Sequence, residues 1–538
     1  MELLFSFSLA IAISLLVIPL MVRLAPVFGM LDRPEARKVH DQPIPRVGGW
    51  GIVLATLVCV SLWTPLEPLL QSYIFGSVAL LAFGAWDDRC ELDAAWKFLG
   101  QFIAVIPVVW YGGLYVELFP FGIEGVPVFA AQLFTLFAML GMINAINHSD
   151  GLDGLAGGES LLSLAAISAL ILLAGDETGL LVAIACMGGI LGFLRYNTHP
   201  ASLFMGDGGS QFLGFTLGFL AVLLTQRIDP SLSPSVVLLL LGLPVADILM
   251  VFYKRVSGRM NWFRATKNHV HHRLLALGFV HQESVLLIYS VQSFLVLSGI
   301  ALAHASDWLI LSVYLGVCFL VFGGLSWAER RGWRPRSRSE SARREVRYRE
   351  LLIAAPRRII AIGVPAIFVV GAAMLQDVPR DLGLLALGAG ALVLLDAWVI
   401  GRRSPLIRRA AYYLLAAILV YLHAGADAPP WAWYGELKTL VFAVLVGSVI
   451  LAVRFSPGRR RYEFKATALD YLIILLVLAV AALAEVLGEA RLGGSFVLQL
   501  TILFYTMELL MVEKRELWTG LSTAAVLAAL LLGVRALA

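Results

Sequence analysis

Carboxylates, amides and histidines capable of chemistry gather in five polar segments of a largely apolar chain. They are D-R-P-E-A-R-K-V-H-D-Q-P-I-P-R-V-G-G (32–49), W-D-D-R-C-E-L (86–92), N-A-I-N-H-S-D-G-L-D-G-L-A-G-G (144–158), F-M-G-D-G-G-S (204–210) and N-H-V-H-H-R-L (268–274). Asp87, Asp88, Asp150, Asp153 and Asp207 form a set of acids with few lysines. Carboxylates brought together repel unless a cation or protons sit among them. Hard oxygen ligands of this kind suit magnesium, which keeps waters and bridges to substrate phosphates. Taken alone, Asp87-Asp88 reads equally as a solvated helix end; the other four segments favour a site. The glycines flanking Asp150, Asp153 and Asp207 permit close backbone approach to a ligand. Backbone N–H groups at such turns can hold phosphate oxygens, although glycine also packs membrane helices. In the run 269–273, protonated His269, His271 and His272 beside Arg273 would bind phosphate. A zinc or nickel site is the rival. The adjacent arginine and the absence of a helical H-x-x-x-H or a nearby cysteine weigh against it.

The elements that must carry these segments are membrane spans. Of 538 residues, 59% are hydrophobic and only 14% charged, against about 25% in a soluble domain, and the mean hydropathy is +0.84. That excludes disorder and argues against a soluble enzyme. Runs of the required length of about 20 residues fall near 3–22, 48–65, 71–86, 97–111, 127–145, 159–174, 179–194, 209–225, 234–252, 284–304 and 308–328. Seven more fall near 357–375, 382–400, 410–423, 437–453, 468–487, 495–512 and 518–535. The expected fold is thus an all-α polytopic membrane protein with eleven spans before an Arg-rich stretch and seven after it. The run 3–22 lacks a basic n-region and a cleavage signal, so it reads as a retained span. Cys59, Cys90, Cys186 and Cys318 show no C-x-x-C spacing, so neither disulfides nor a thiolate metal site are expected. With 23–47 placed in the cytoplasm, only Arg227, Arg380, Lys438, Arg491 and Arg535 of 41 lysines and arginines fall on the opposite side, the asymmetry expected of cytoplasmic loops. All five polar segments then face the cytoplasm. Nine arginines lie within 329–350, which reads as a linker held at anionic headgroups and not as a nucleic-acid site. The expected divisions are 1–328, a linker 329–356, and an extension 357–538. A transporter or flippase would place charges near the bilayer midplane, often in broken helices, and the first eleven spans carry few.

In this order, the Asp-Asp pair, N-x-x-N-x-x-D-G-L-D-G-L, F-M-G-D-x-G-S and the histidine run resemble the polyprenyl-phosphate N-acetylhexosamine-1-phosphate transferases, over roughly 1–328. The resemblance implies an enzyme of the bacterial inner membrane. It would transfer N-acetylhexosamine-1-phosphate from a UDP-sugar to undecaprenyl phosphate and release UMP at the cytoplasmic face, as the first membrane step of an envelope polysaccharide such as O-antigen. Val270 interrupts the triple-histidine run of the branch that acts on UDP-MurNAc-pentapeptide, so the sequence looks like the GlcNAc branch, with the peptidoglycan enzyme as the alternative. By motif position, the resemblance makes Asn147 and Asp207 ligands of magnesium, with manganese as the alternative ion. It makes Asp87 and Asp88 the pair that orients or deprotonates the lipid phosphate. Asp150 and Asp153 become nucleoside-pocket residues, with Phe204 placed to stack on uracil. His269, His271, His272 and Arg273 become diphosphate binders, His271 and His272 with catalytic roles, and Asn144 and Lys97 further substrate contacts. Asp247, in P-V-A-D, fits a position just behind the site. The lipid bilayer and the two substrates are the partners implied, and a homodimer is allowed. The extension 357–538 is outside the family pattern.

The sidedness is open to a direct test. Single cysteines at 90 and 205 in a cysteine-free background are expected to react with an impermeant maleimide only from the cytoplasmic side, and one at 120 only from outside. Labelling of 205 from outside would overturn the convergence of the polar segments.

Overall fold

The computed structural model describes residues 2–32, 43–258, 268–335, 346–398, 405–425, 433–455, 494–513 and 515–537. The expected span 468–487, residues 33–42 of the first polar segment and 336–345 of the Arg-rich stretch lie outside them. The chain divides into two compact units, the first of which contains Met1–Pro335.

The first unit consists of α1 (Glu2–Phe28), α2 (Gly48–Trp63), α3 (Pro68–Cys90), α4 (Ala94–Trp110), α5 (Val128–Ser149), α6 (Leu155–Ala174), α7 (Glu177–Asn197), α8 (Asp207–Leu223), α9 (Val236–Ser257), α10 (Val270–Leu277), α11 (His281–Ala301) and α12 (Asp307–Arg330). Each of the eleven expected spans of this half coincides with one helix; α10 is an additional short one that carries the histidine run. Among the described residues of the whole chain, eleven helices are long and apolar enough to cross a membrane. Helices α2 and α4, at 16 and 17 residues, are shorter. One departure from an all-helical chain is a two-residue antiparallel pair, β1 (Leu31–Asp32) with β2 (Ile44–Pro45). It is too short to leave a period-2 pattern in the sequence.

Helix ends follow local chemistry. Pro68 opens α3, where its missing N–H would have had no helical partner. Asp176 caps α7 by accepting from Gly179 N–H at 2.6 Å, as N-cap carboxylates do. Helix α8 is the centre: residues 208–225 are all buried, whereas the most apolar stretch of α12 is 22% buried. Tyr73 of α3 stacks on Phe215 of α8 (centroids 5.6 Å) and shares a 3.0 Å hydroxyl bond with Thr216. Leu315, Phe319 and Leu320 of α12 lie on the open surface, as expected for a helix facing lipid.

Helix α9 is broken at Gly242, whose φ is +54°, just before Pro244. In lipid, freed backbone groups must find partners within the protein. Leu243 N–H donates to Gln292 of α11 at 2.8 Å, the Gly242 carbonyl accepts from Tyr314 of α12 at 3.2 Å, and Gln292 donates to Ser163 of α6 at 2.9 Å. A broken helix is therefore present, but neutral groups fill the break.

The second unit contains α13 (Val346–Met374), α14 (Arg380–Trp398), α15 (Pro405–Gly425), α16 (Trp433–Phe455), α17 (Gly494–Glu513) and α18 (Arg515–Leu537). Its core includes Phe368, Tyr412, Leu415, Leu503 and Met507. Tyr412 and Ser522 share a 2.6 Å hydroxyl bond, and Arg535 donates to the Ala373 carbonyl at 2.8 Å.

Replacing Gln292 by leucine removes the acceptor for the Leu243 amide. Leaving a buried donor unsatisfied costs about 1–3 kcal/mol. A lower Tm in detergent is the expected result, and an unchanged Tm would show that another group takes the amide.

Candidate active site

The polar segments meet at one end of the first unit, where α3 and α5 end and α4 and α8 begin. The approach is made by glycine. A Cβ on Gly84 of α3 would lie 2.2 Å from the Cα of Gly208, and one on Gly49 of α2 would lie 2.4 Å from the Gly209 nitrogen. The first turn of α8 thus touches both helices backbone to backbone. The chain before α2 runs beside the loop before α8: Phe204 N–H donates to Pro45 O (2.8 Å), Gly48 N–H to Phe204 O (2.9 Å) and Gly49 N–H to Met205 O (2.8 Å).

Asp207, in the first turn of α8, is the hub. Its carboxylate takes Lys97 of α4 at 2.9 Å and the Asn147 amide of α5 at 3.0 Å. Lys97 also reaches Asp87 at 2.5 Å. Asp87 is buried and accepts Leu92 N–H at 2.6 Å. Asp88 receives the Asp207 backbone N–H on both oxygens, at 3.1 Å each, so it occupies the positive end of α8, where anions are favoured. The sequence suggested Lys97 as a further substrate contact; the fold makes it the cation between two acids. Arg46 pairs with Asp32 and lies in electrostatic reach of Asp88 and Asp207, a second cation that the sequence reading did not single out. Its place depends on the β1–β2 pairing, which leaves no sequence signal.

Asp150 and Asp153 follow α5. Burial, and then the charges of Asp207 and Asp153, raise Asp150 to about 7; a cation among these acids would draw it back down. Asp153 is held by two residues that sequence analysis missed. Its Oδ2 meets His199 Nδ1 at 2.7 Å and accepts Ala201 N–H at 3.1 Å, and His281 Nε2 lies 3.3 Å from its carbonyl. The two imidazoles stack at 4.1 Å. Asn197 ties the same loop down, accepting Gly154 N–H at 2.8 Å and donating to Leu203 O at 2.9 Å. Phe204 is half-buried and joined through its backbone to the strand-like segment at Arg46.

The histidine run opens α10 and packs on the loop after α5: a Cβ on Gly151 would lie 2.2 Å from His271 Nε2. His269, His271 and His272 cluster, with His148 of α5 stacked 5.4 Å from His269. Three of the expected substrate contacts have close neighbours within the protein. Arg273 does not present a free fork to a ligand: its Nε and Nη2 donate to Glu329 of α12 at 2.7 and 2.8 Å, and Nη2 to Ser326 at 3.0 Å. Burial, and then the neighbouring His272 and His269, push His271 down to about 3. Asn144 has its partners within the protein. Its amide donates to Gln101 of α4 at 2.9 Å and to its own helix at Leu140 O, 2.7 Å, so it packs α4 against α5.

The family described as glycosyl transferase family 4 matches residues 70–225. The chain is 34% identical over 323 residues, 59% of its own length and 89% of the relative's, to a probable undecaprenyl-phosphate N-acetylglucosaminyl 1-phosphate transferase of Bacillus subtilis (strain 168). It is 32% identical over 294 residues, 49% of this chain and 72% of the relative, to a decaprenyl-phosphate N-acetylglucosaminephosphotransferase of Mycolicibacterium smegmatis. An undecaprenyl-phosphate alpha-N-acetylglucosaminyl 1-phosphate transferase of Escherichia coli O157:H7 is 27% identical over 331 residues, 58% of this chain and 87% of that protein.

Gly84→Ala forces α3 and α8 apart, and overpacking of this kind costs about 1–3 kcal/mol. A fall in Tm is expected. Gly141→Ala on α5, with nothing within 4 Å of the added Cβ, is expected to leave Tm unchanged. Equal Tm values for the two variants would contradict the close-contact assignment.

Proposed function

The chain belongs to glycosyl transferase family 4 and is a polyprenyl-phosphate sugar-1-phosphate transferase, and from that premise we propose that it moves N-acetylglucosamine-1-phosphate from UDP-N-acetylglucosamine to undecaprenyl phosphate, releasing UMP. We place the site at the cytoplasmic face of a bacterial inner membrane, at the first lipid-linked step of an envelope glycan. The observation that carries this reading is the cluster of Asp87, Asp88, Asp207 and Asn147 around Lys97 at the helix ends. A phosphate on a lipid anchored in the bilayer can meet a water-soluble diphosphate there.

An oxygen of the acceptor phosphate attacks the phosphorus that bears the sugar, the bond to the UMP oxygen breaks, and UMP leaves with the electron pair. The acceptor needs little help losing a proton, since a phosphate monoester has its second pKa at about 6. Orientation and charge neutralisation carry such a reaction. Asp87 and Asp88 fit an orienting role, because each is already held as an acceptor, by Leu92 N–H and by Asp207 N–H. Lys97 balances the acids and stands ready to contact a phosphate oxygen. Asp153, fixed by His199 and Ala201, suits a rigid nucleoside pocket, and the half-buried Phe204 a stacking surface. The hard-oxygen donors fit magnesium: Asp207 and Asn147 would hold it. Bound there, it would offset the charge of the diphosphate oxygens.

Purified full-length protein in nanodiscs with magnesium and undecaprenyl phosphate is expected to release UMP from UDP-N-acetylglucosamine and much less from UDP-glucose. Asp207→Asn and Asn147→Ala are each expected to lower kcat by roughly a hundredfold or more, the scale of losing one preorganised electrostatic group. Equal UMP release from every UDP-sugar would refute the sugar assignment. Wild-type magnesium dependence in either variant would refute the ligand assignment.

A further inference from the structure

The histidine run is not held alike along its length. His271 packs on Gly151, and Arg273 is committed to Glu329. His269 meets an acid within hydrogen-bond distance: its Nδ1 lies 2.8 Å from Asp247 Oδ2. The other oxygen of Asp247 accepts Val270 N–H at 3.0 Å, at the first residue of α10. Asp247, His269 and the Val270 amide are all buried on this side, with Asp247 8% and His269 6% exposed. One carboxylate therefore fixes both the ring and the start of the helix that carries it. Asp247 is itself placed by α9 after the break at Gly242, which Gln292 and Tyr314 hold.

We infer that Asp247 is a positioning residue of the transfer reaction, acting through His269. A carboxylate on Nδ1 selects the ring tautomer with hydrogen on Nδ1 and fixes the ring plane. Nε2, on the opposite edge of the ring, is then the nitrogen left to meet the substrate, and it donates to a phosphate oxygen only as the N–H of a doubly protonated ring. The inference rests on the sugar-phosphate transfer reading for its kinetic test, and a spectroscopic readout stands apart from turnover.

Asp247→Asn keeps the shape and an oxygen for Val270 N–H but loses the carboxylate charge on the imidazole. It is expected to lower kcat roughly ten- to hundredfold, the usual loss when the outer partner of a functional histidine is removed, with KM for undecaprenyl phosphate unchanged. His269→Asn is expected to fall at least as far, and the double variant no further, because residues that act through one another are not additive. If Asp247 only braced α10, Asp247→Asn would retain wild-type kcat, or the two losses would multiply; either result overturns the inference. Nitrogen-15 NMR of histidine-labelled full-length protein, with the His269 signals assigned by their loss in His269→Asn, reads the ring without turnover. Hydrogen on Nδ1 in the wild type, weakened or exchanged to Nε2 in Asp247→Asn, supports the inference. A wild-type ring with hydrogen on Nε2 alone refutes it. Absence of UMP release by the wild type would refute the transferase reading while the NMR result still decides this one.

Discussion

The contact of the first turn of α8 with α2 and α3, backbone against backbone, is the constraint on which the rest of the first unit depends. Lipid tails are as apolar as leucine, so helices in a bilayer gain little from burying apolar surface and associate through close packing instead. Gly84 against Gly208 and Gly49 against Gly209 supply that packing. They also set the chemistry. A side chain at Gly84, Gly49 or Gly209 would push against these contacts and move Asp207 away from Asp88, whose two oxygens hold the Asp207 amide. The same contact brings three carboxylates together, and Lys97, bonded to two of them, offsets the repulsion.

A second pattern recurs in the fold: several buried polar groups each serve two partners. Gln292 accepts from the α9 break and donates to Ser163. Asn197 joins the loop after α5 to the loop before α8. Asp247 binds a ring and a helix start. Such links are favoured where water is excluded, because an unmade hydrogen bond costs more there than a made one returns. They leave the loops around the acids braced from several helices, which is what a reaction depending on positioning needs.

Polar groups at the site differ in their exposure. Arg273 and Asn144 have polar side chains of the right type near the right place, yet their partners are within the protein. Lys97, Asp207 and Asn147 bond to one another but are half-exposed.

Much of the architecture was legible in the residues. Lengths of apolar runs fixed the helices of the first unit, because in lipid a chain segment can satisfy its backbone only by coiling on itself. The placement of polar residues at the ends of those runs marked Asp87, Asp88, Asn147, Asp207 and the histidine run as one end of the molecule. The partners were not legible. Lys97 bonds a residue 110 positions away, Asp207 N–H one 119 positions away, and Arg273 one 56 positions away. A hydrogen bond is short and directional, so its partner is chosen by the helix packing and not by any local pattern. Nothing in the string around His199, His281, Arg46 or Asp247 announces the carboxylate or imidazole each one meets. Sequence determined which groups reach the membrane boundary; only the tertiary structure decided which of them face one another, because ångström-scale glycine contacts between distant helices set those distances.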